Sequence, residues 1–165
     1  MIESWEEFVQ NVKEWATARN LIKGSTVQAQ GLKGLSEVGE LADNFAKGKD
    51  IRDDIGDCCV VAVITMVQAG GVRVRITPSA DTEAYDEATE CIADIARDFT
   101  YAVSTYFPAD CVPTAAMTLC HYQGIDFIEC LNQAWNDIKD RKGIMHNGVF
   151  IKESDPRYKE LVDVS

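Results

Sequence analysis

Apolar residues recur every three to four positions along most of this chain, which is the spacing of one face of an α-helix. Glycine and proline separate the periodic segments, as they do at helix ends. The pattern predicts six helices, which span about residues 4–22, 26–47, 50–68, 81–107, 114–122 and 126–142. The sequence therefore predicts an all-α fold, a helical bundle built on an antiparallel hairpin of the second and third helices.

The third helix is almost entirely apolar from residue 58 to residue 67. A helix that is apolar all round is buried on every side. A chain of 165 residues suits one domain with a single core, here residues 1–165. Because such a small core covers a central helix poorly, we expect a second subunit against it, in a homodimer or homotetramer.

Two segments depart from the helical pattern. Residues 72–76 alternate in polarity as in a short strand, and Asn147-Gly148 lies between short apolar flanks, which is a β-hairpin signal. The hairpin opens a C-terminal tail over residues 143–165. The sequence predicts no internal repeat, and the tail belongs to the one domain.

The formal net charge of −11 changes the expected partners. Such a surface repels nucleic acid and anionic membranes, so we expect neither as a partner. No apolar run reaches membrane-spanning length, and the acidic N-terminus does not resemble a signal peptide, which predicts a cytoplasmic protein. The six cysteines form no Cys-x-x-Cys pair and are predicted to be reduced, mostly buried thiols.

Four carboxylates are the candidate chemistry. Glu37 and Glu40 are three residues apart on the second helix, and Asp54 and Asp57 are three apart on the third, so each pair shares one helix face. Glu40 and Asp54 lie roughly 12 Å and 9 Å from the turn near Gly48. In an antiparallel hairpin the pairs would converge, and hard oxygen ligands suit Mg²⁺ or Mn²⁺.

A solvated acidic face is the alternative explanation of these residues. Against it, the third helix turns apolar directly after Asp57, and Glu37 lies about 40° from Leu41 at the edge of an apolar stripe. The spacing by itself leaves the metal site and the solvated face equally open.

Two motifs resemble those of the MazG-like, all-α nucleotide pyrophosphohydrolases. Residues 30–42 (QGLKGLSEVGELA) resemble the first, E-x-x-E motif, and residues 53–57 (DDIGD) resemble the second, E-x-x-D motif. Residues 15–20 of the first helix also resemble this family, and residues 134–143 and 147–150 are similar to the C-terminal part of phage-type members. Asp54 departs from the usual glutamate, which shortens one ligand arm, and residues 70–123 resemble nothing that we can place.

The resemblance implies metal-dependent hydrolysis of a nucleoside triphosphate to a monophosphate and pyrophosphate. Glu37, Glu40, Asp54 and Asp57 would hold Mg²⁺ or Mn²⁺, and a metal-activated water would attack the α-phosphorus. Glu40 is the carboxylate we expect to orient the water. The phage-type C-terminus suggests a role in a viral deoxynucleotide pool, with guanine and pyrimidine preferences both open.

Five other residues are candidates for substrate binding. Lys33 can reach a phosphate or simply pair with Glu37, four residues on. Asn136, Lys139 and Arg141 offer polar contacts on or near the last helix, or form an ordinary solvated face. Trp15 can stack on a nucleobase, although a tryptophan at helical spacing is more often core.

The main rival reading is a non-catalytic acidic helical protein, such as a decoy for a nucleic-acid-binding partner. It accounts for the charge but not for carboxylates paired across a turn into an apolar helix. The location of the charge separates the two readings, because a decoy spreads its acids over exposed faces and an enzyme concentrates them in a cleft.

Overall fold

The computed structural model describes residues 1–71 and 87–162 and confirms an all-α bundle with a small C-terminal hairpin. The expected strand over 72–76 and the start of the fourth helix lie outside the described residues. The described elements, in chain order, are α1 (Trp5–Ala18), α2 (Leu21–Gly24), α3 (Val27–Ala46), α4 (Arg52–Gln68), α5 (Ala88–Thr105), α6 (Val112–Gln123), α7 (Phe127–Ile138), β1 (Gly143–His146), β2 (Val149–Lys152) and α8 (Arg157–Val162).

Polar residues at the helix starts satisfy backbone N–H groups that have no partner within a helix. The Ser4 hydroxyl accepts from the Glu7 N–H at 3.1 Å at the start of α1, and the Thr26 hydroxyl accepts from the Ala29 N–H at 3.2 Å at the start of α3. Asp126 does the same for α7. These caps fix where the amphipathic segments begin.

Helix α4 occupies the centre of the bundle. Every residue from 55 to 66 except Asp57 is buried, and α1, α3, α6 and α7 all pack against this helix. A single chain therefore covers the apolar helix, so the reason we gave for a second subunit does not hold. The homodimer or homotetramer stays a prediction.

Two glycines set the closest helix contacts. A Cβ at Gly34 of α3 would overlap the ring of Phe99 on α5, and a Cβ at Gly56 of α4 would lie 2.6 Å from the Ala134 Cβ of α7 and nearer still to the Cys130 carbonyl oxygen. The missing side chains let α3 pack on α5, and α4 on α7. The α3–α4 pair is thereby held between α5 and α7.

Two predicted helices are shorter than expected. The first ends at Ala18 and α2 is a separate turn, because Asn20 adopts a left-handed backbone (φ 56°), which asparagine tolerates. The last long helix ends at Ile138 rather than at residue 142, where the chain turns into β1. The Arg141 carbonyl there accepts a hydrogen bond from Arg19 Nε at 2.6 Å.

The predicted hairpin is confirmed. His146 pairs with Val149, and Asn147 (φ 49°) and Gly148 (φ 77°) both have the positive φ of a type I′ turn. By contrast Tyr106, which falls within the range of about 81–107 predicted for the fourth helix, follows the end of α5 and is 75% exposed. Its own left-handed backbone (φ 66°) turns the chain away from the core.

Two further findings bear on the sequence predictions. Within the described ranges no helix is long and apolar enough to cross a membrane. All six cysteines are free thiols, five of them buried, as predicted; Cys111 is exposed.

Candidate functional site

The site begins with two stripes of side chains on antiparallel helices. On α3, Gln30, Lys33 and Glu37 follow one another at three- and four-residue steps, and therefore share a face. On α4, Asp57 starts the facing stripe. Glu37 lies near the middle of α3 and Asp57 in the second turn of α4, and because a short turn joins the two helices, both residues line the space between them.

A pocket of about 360 Å³ lies between these walls. We call it the α3–α4 pocket. Its charged residues are Lys33, Glu37, Asp57 and Arg141, and its remaining wall comes from α1, the end of α7 and the C-terminal hairpin. It has room for a small ligand, and it brings two carboxylates and two cations together on a protein of net charge −11.

Glu37 is the buried carboxylate of the pocket, at 6% exposure. Its Oε1 forms an ion pair with the Lys33 ammonium, whose side chain is 58% exposed. A buried charge is costly unless it is paired, and Lys33 meets that need from the next turn of α3. The alternative that Lys33 simply pairs with Glu37 is therefore what the structure shows.

Asp57 is the most perturbed acid of the site. Burial, and then the nearby Glu37 and Asp53 carboxylates, raise the pKa of Asp57 to about 7, while Arg141 and Lys33 act in the opposite direction. Crowded carboxylates in a partly buried place disfavour each other's charged forms. Such a perturbed group in a pocket marks a candidate functional residue.

Asp53 does not line the pocket, but its carboxylate contributes to the raised pKa of Asp57, and we did not predict it as a site residue from the sequence. Burial, and then Asp137 and Asp54, raise the pKa of Asp53. Its Oδ1 is buried and accepts no hydrogen bond from any described residue. The signal was available: Asp53 lies four residues before Asp57 and only about 40° from it around α4, closer than the 60° of Asp54.

Glu40 and Asp54, the other two predicted ligands, do not line the pocket. Each lies one turn closer to the α3–α4 connection, and Glu40 is exposed. Both Asp54 oxygens accept from Asn44 Nδ2, at 3.1 and 2.9 Å. Asp54 is thus held against the end of α3 by an asparagine that the motif did not indicate.

The expected convergence of four carboxylates on one point is not observed. In the described part of the chain, only Asp98, Asp110 and Cys111 bring three potential ligand atoms within 4.8 Å of one another. Like charges repel one another. Glu37 and Asp54 also have different partners, because Glu37 pairs with Lys33 and Asp54 accepts from Asn44. In that other cluster, Asp98 accepts from the Cys111 and Val112 N–H groups, which explains its position at the start of α6.

The three residues predicted to bind substrate on or near the last helix do not lie together in the structure. Arg141 lies beyond the end of α7 and lines the pocket, where its charge acts on Asp53 and Asp57. Asn136 and Lys139 are exposed and outside the pocket lining, and Lys139 Nζ donates to Asn136 Oδ1 at 2.7 Å. For these two the structure shows the solvated-face arrangement.

Trp15 lines the pocket from α1 and is half-buried. The Arg19 guanidinium lies 4.7 Å from its ring centroid and also donates to the Trp15 carbonyl. Arg19 therefore covers one face of the indole, and burial lowers the pKa of this arginine. The turn of the C-terminal hairpin also reaches the site, because Gly148 and Phe150 line the pocket.

The raised pKa of Asp57 predicts how the stability of the protein depends on pH. The native state holds this proton up to about pH 7, whereas an unfolded chain loses it near 3.8. The native state therefore binds more protons between these values, and the free energy of unfolding falls as pH rises. From pH 5 to 8 in EDTA we expect a loss of about 1–2 kcal/mol, allowing for solvent screening.

Urea unfolding at both pH values measures this loss. Asp57→Asn is the control and should show a flatter dependence. A free energy of unfolding that rises from pH 5 to 8, or an equal slope in the variant, would contradict the assignment.

Comparisons with known proteins leave the chain without a family. No family model matches it, and no solved structure does. It is 45% identical over 65 residues to an uncharacterized 18.2 kDa protein in the rep-hol intergenic region of Haemophilus phage HP1. The matched segment covers 38% of this chain and 40% of that protein, so it spans well under two thirds of the relative.

Proposed function

We propose that this protein hydrolyses a nucleoside or deoxynucleoside triphosphate to the monophosphate and pyrophosphate, with Mg²⁺ or Mn²⁺ as cofactor. The observation that carries the proposal is the α3–α4 pocket, which combines one buried and one partly buried acid, two cations and apolar walls. Acids alone would suit many cations. Acids next to Lys33 and Arg141 suit a ligand that carries both a metal and phosphate groups.

The residues present fit a hard divalent cation. Glu37, Asp53 and Asp57 supply oxygen ligands on facing helices, the Asp53 Oδ1 has no donor among the described residues, and the pKa of Asp57 is raised by the neighbouring acids. A cation would relieve each of these costs. When bound, it supplies charge neutralisation at the phosphate oxygens and activation of a water.

Glu40 and Asp54 complete the proposed ligand set on the strength of the motif resemblance. They lie one turn from Glu37 and Asp57 respectively, about 4.5 Å along each helix axis. The role of Glu40 in orienting water stays a prediction, since its side chain is exposed outside the pocket lining. A shift of either side chain toward the pocket would be needed for it to act as a ligand.

The cations of the pocket have the roles of binding and orienting phosphate. Lys33 is largely exposed beyond its ion pair with Glu37, so its ammonium can contact a phosphate while it keeps that pair. Arg141 lines the pocket from beyond the end of α7, where its backbone carbonyl accepts a hydrogen bond from Arg19. Two cations from separate parts of the chain can hold a polyphosphate in one orientation, which is a prerequisite for in-line attack.

The phage relative supports a place for this chain among phage-encoded proteins, in which case its activity would adjust a deoxynucleotide pool in the host cytoplasm. The rival binding-protein reading makes a different prediction. A decoy needs only exposed acidic residues. It has no need of an acid such as Glu37, which is 6% exposed and lies in a pocket.

Product analysis tests the proposal. The protein is incubated with each common NTP and dNTP and with Mg²⁺ or Mn²⁺, and the products are separated by ion exchange. We expect monophosphate and pyrophosphate, lost on addition of EDTA and in Glu37→Gln, and retained in the matched surface variant Glu6→Gln. Diphosphate plus phosphate would place the attack at another phosphorus, and no turnover of any nucleotide would favour the binding protein.

A further inference from the structure

The end of the α3–α4 pocket away from the acids is polar but uncharged. Gln30 lines it with 6% exposure, and its Nε2 donates to the Ser25 hydroxyl at 3.0 Å. Among the described residues, Ser25 is the one side chain bonded to this amide. A buried carboxamide is costly unless its donors and acceptor are used, and the bond to Ser25 uses one donor of two.

The distance of Gln30 from the acids follows from helix geometry. Glu37 is seven residues further along α3, which is two turns, about 10 Å along the axis and only about 20° around it. On α4, Ile64 is seven residues beyond Asp57, and the helix runs in the opposite direction. Gln30 and Ile64 therefore line the same end of the pocket, each two helical turns from the acid on its own helix.

The walls between those ends are apolar. Val60 and Val61 follow Asp57 on the same face of α4, and Phe150 of the hairpin lines the other side. A flat, mostly apolar ring fits such walls, and a carboxamide presents a donor and an acceptor side by side. That pair of groups matches the edge of a nucleobase, as amide side chains do when they recognise bases.

We infer that Gln30, held by Ser25, reads the hydrogen-bonding edge of the nucleobase, while the apolar walls of the α3–α4 pocket contact the faces of the base. The inference rests on the proposed function, because it takes the phosphates to lie at the acidic end of the pocket, where the Lys33 ammonium pairs with Glu37. It assigns substrate selection to the uncharged end of the pocket. Ser25 is a positioning residue, since it acts through Gln30.

A comparison of two ligands tests this. Binding of non-hydrolysable α,β-imido nucleoside triphosphates of adenine, guanine, cytosine and uracil, and of inorganic tripolyphosphate, each with Mg²⁺, is measured by calorimetry for the wild type, Gln30→Leu and Gln30→Glu. We expect Gln30→Leu to weaken nucleotide binding roughly 10- to 100-fold and to leave tripolyphosphate binding unchanged. Gln30→Glu keeps the shape of the side chain, and we expect it to change the order of preference among bases.

The outcomes separate the two proposals. Equal weakening of both ligands at an unchanged Tm, or no weakening of either, would overturn the role of Gln30. Nucleotide binding without hydrolysis would overturn the proposed activity. The comparison of the Gln30 variants would still test whether Gln30 recognises the nucleobase. If the wild type binds no nucleotide at all, both proposals are wrong.

Discussion

Asp57→Asn is expected to lower kcat/KM for nucleoside triphosphate hydrolysis by about 10³-fold or more, which corresponds to about 4 kcal/mol of transition-state stabilisation. Asparagine has nearly the same shape, so the α4 backbone and its packing should not change. The substitution removes the charge of a proposed metal ligand, next to the carboxylates of Glu37 and Asp53. Steady-state kinetics with Mg²⁺ held in excess measures the effect.

The same variant should be more stable than the wild type at pH 8 in EDTA, because it removes a charge that burial and neighbouring acids disfavour. Lost activity with gained stability is the expected result for a group retained for function. Asp43→Asn, an exposed change on α3, is the matched control for activity. An Asp57→Asn variant with wild-type kcat/KM would contradict a role for Asp57 in the proposed reaction.

Gly56→Ala is expected to destabilise the protein by about 3 kcal/mol or more. The new Cβ would lie 2.6 Å from the Ala134 Cβ and closer to the Cys130 carbonyl, and a backbone carbonyl within α7 cannot move aside without shifting the helix. Helix propensity acts in the opposite direction, since alanine is favoured over glycine by about 1 kcal/mol. We expect the steric overlap to outweigh the gain in helix propensity, so that the substitution lowers the free energy of unfolding.

Gly39→Ala supplies the control for that prediction. Gly39 is exposed on α3, and nothing outside its own helix lies within 4 Å of a Cβ placed there. Propensity then acts alone, and we expect the free energy of unfolding to rise by about 0.5–1 kcal/mol. Denaturant unfolding of the two variants, each compared with the wild type, should therefore give opposite signs. Equal effects would show that α4 and α7 do not approach as closely as the structure indicates.

Periodicity was sufficient for most of the fold. The helices α3 and α4, the burial of α4 and the type I′ hairpin all follow from local signals: the 3.6-residue repeat, an all-round apolar run and an Asn-Gly pair. The ends of the helices were harder to predict from the sequence. The turn that follows α7 is held by a hydrogen bond between residues far apart in the chain, Arg19 to the Arg141 carbonyl, which a short stretch of sequence cannot reveal.

Part of the candidate site was also predictable from local signals in the sequence. Glu37, Asp57 and Lys33 follow from spacing on two consecutive helices, and the structure places them in one pocket. Gln30 reads as an ordinary polar residue in the sequence, and only the approach of α4 and the hairpin shows that it is buried. Arg141 entered the site because α7 ends early, although it was expected on the polar side of a longer helix.

The attachment of the hairpin to the first helix has a consequence for folding order. Met145 N–H donates to the Arg19 carbonyl, and Asn20 Nδ2 donates to the Met145 carbonyl, across more than 120 residues of sequence. Contacts at such separation form late, because the intervening chain loses entropy when its ends meet. The acidic α3–α4 hairpin is local and can form early. The two acidic helices are therefore expected to fold first. The pocket between them is completed last, when the C-terminal hairpin packs against the first helix.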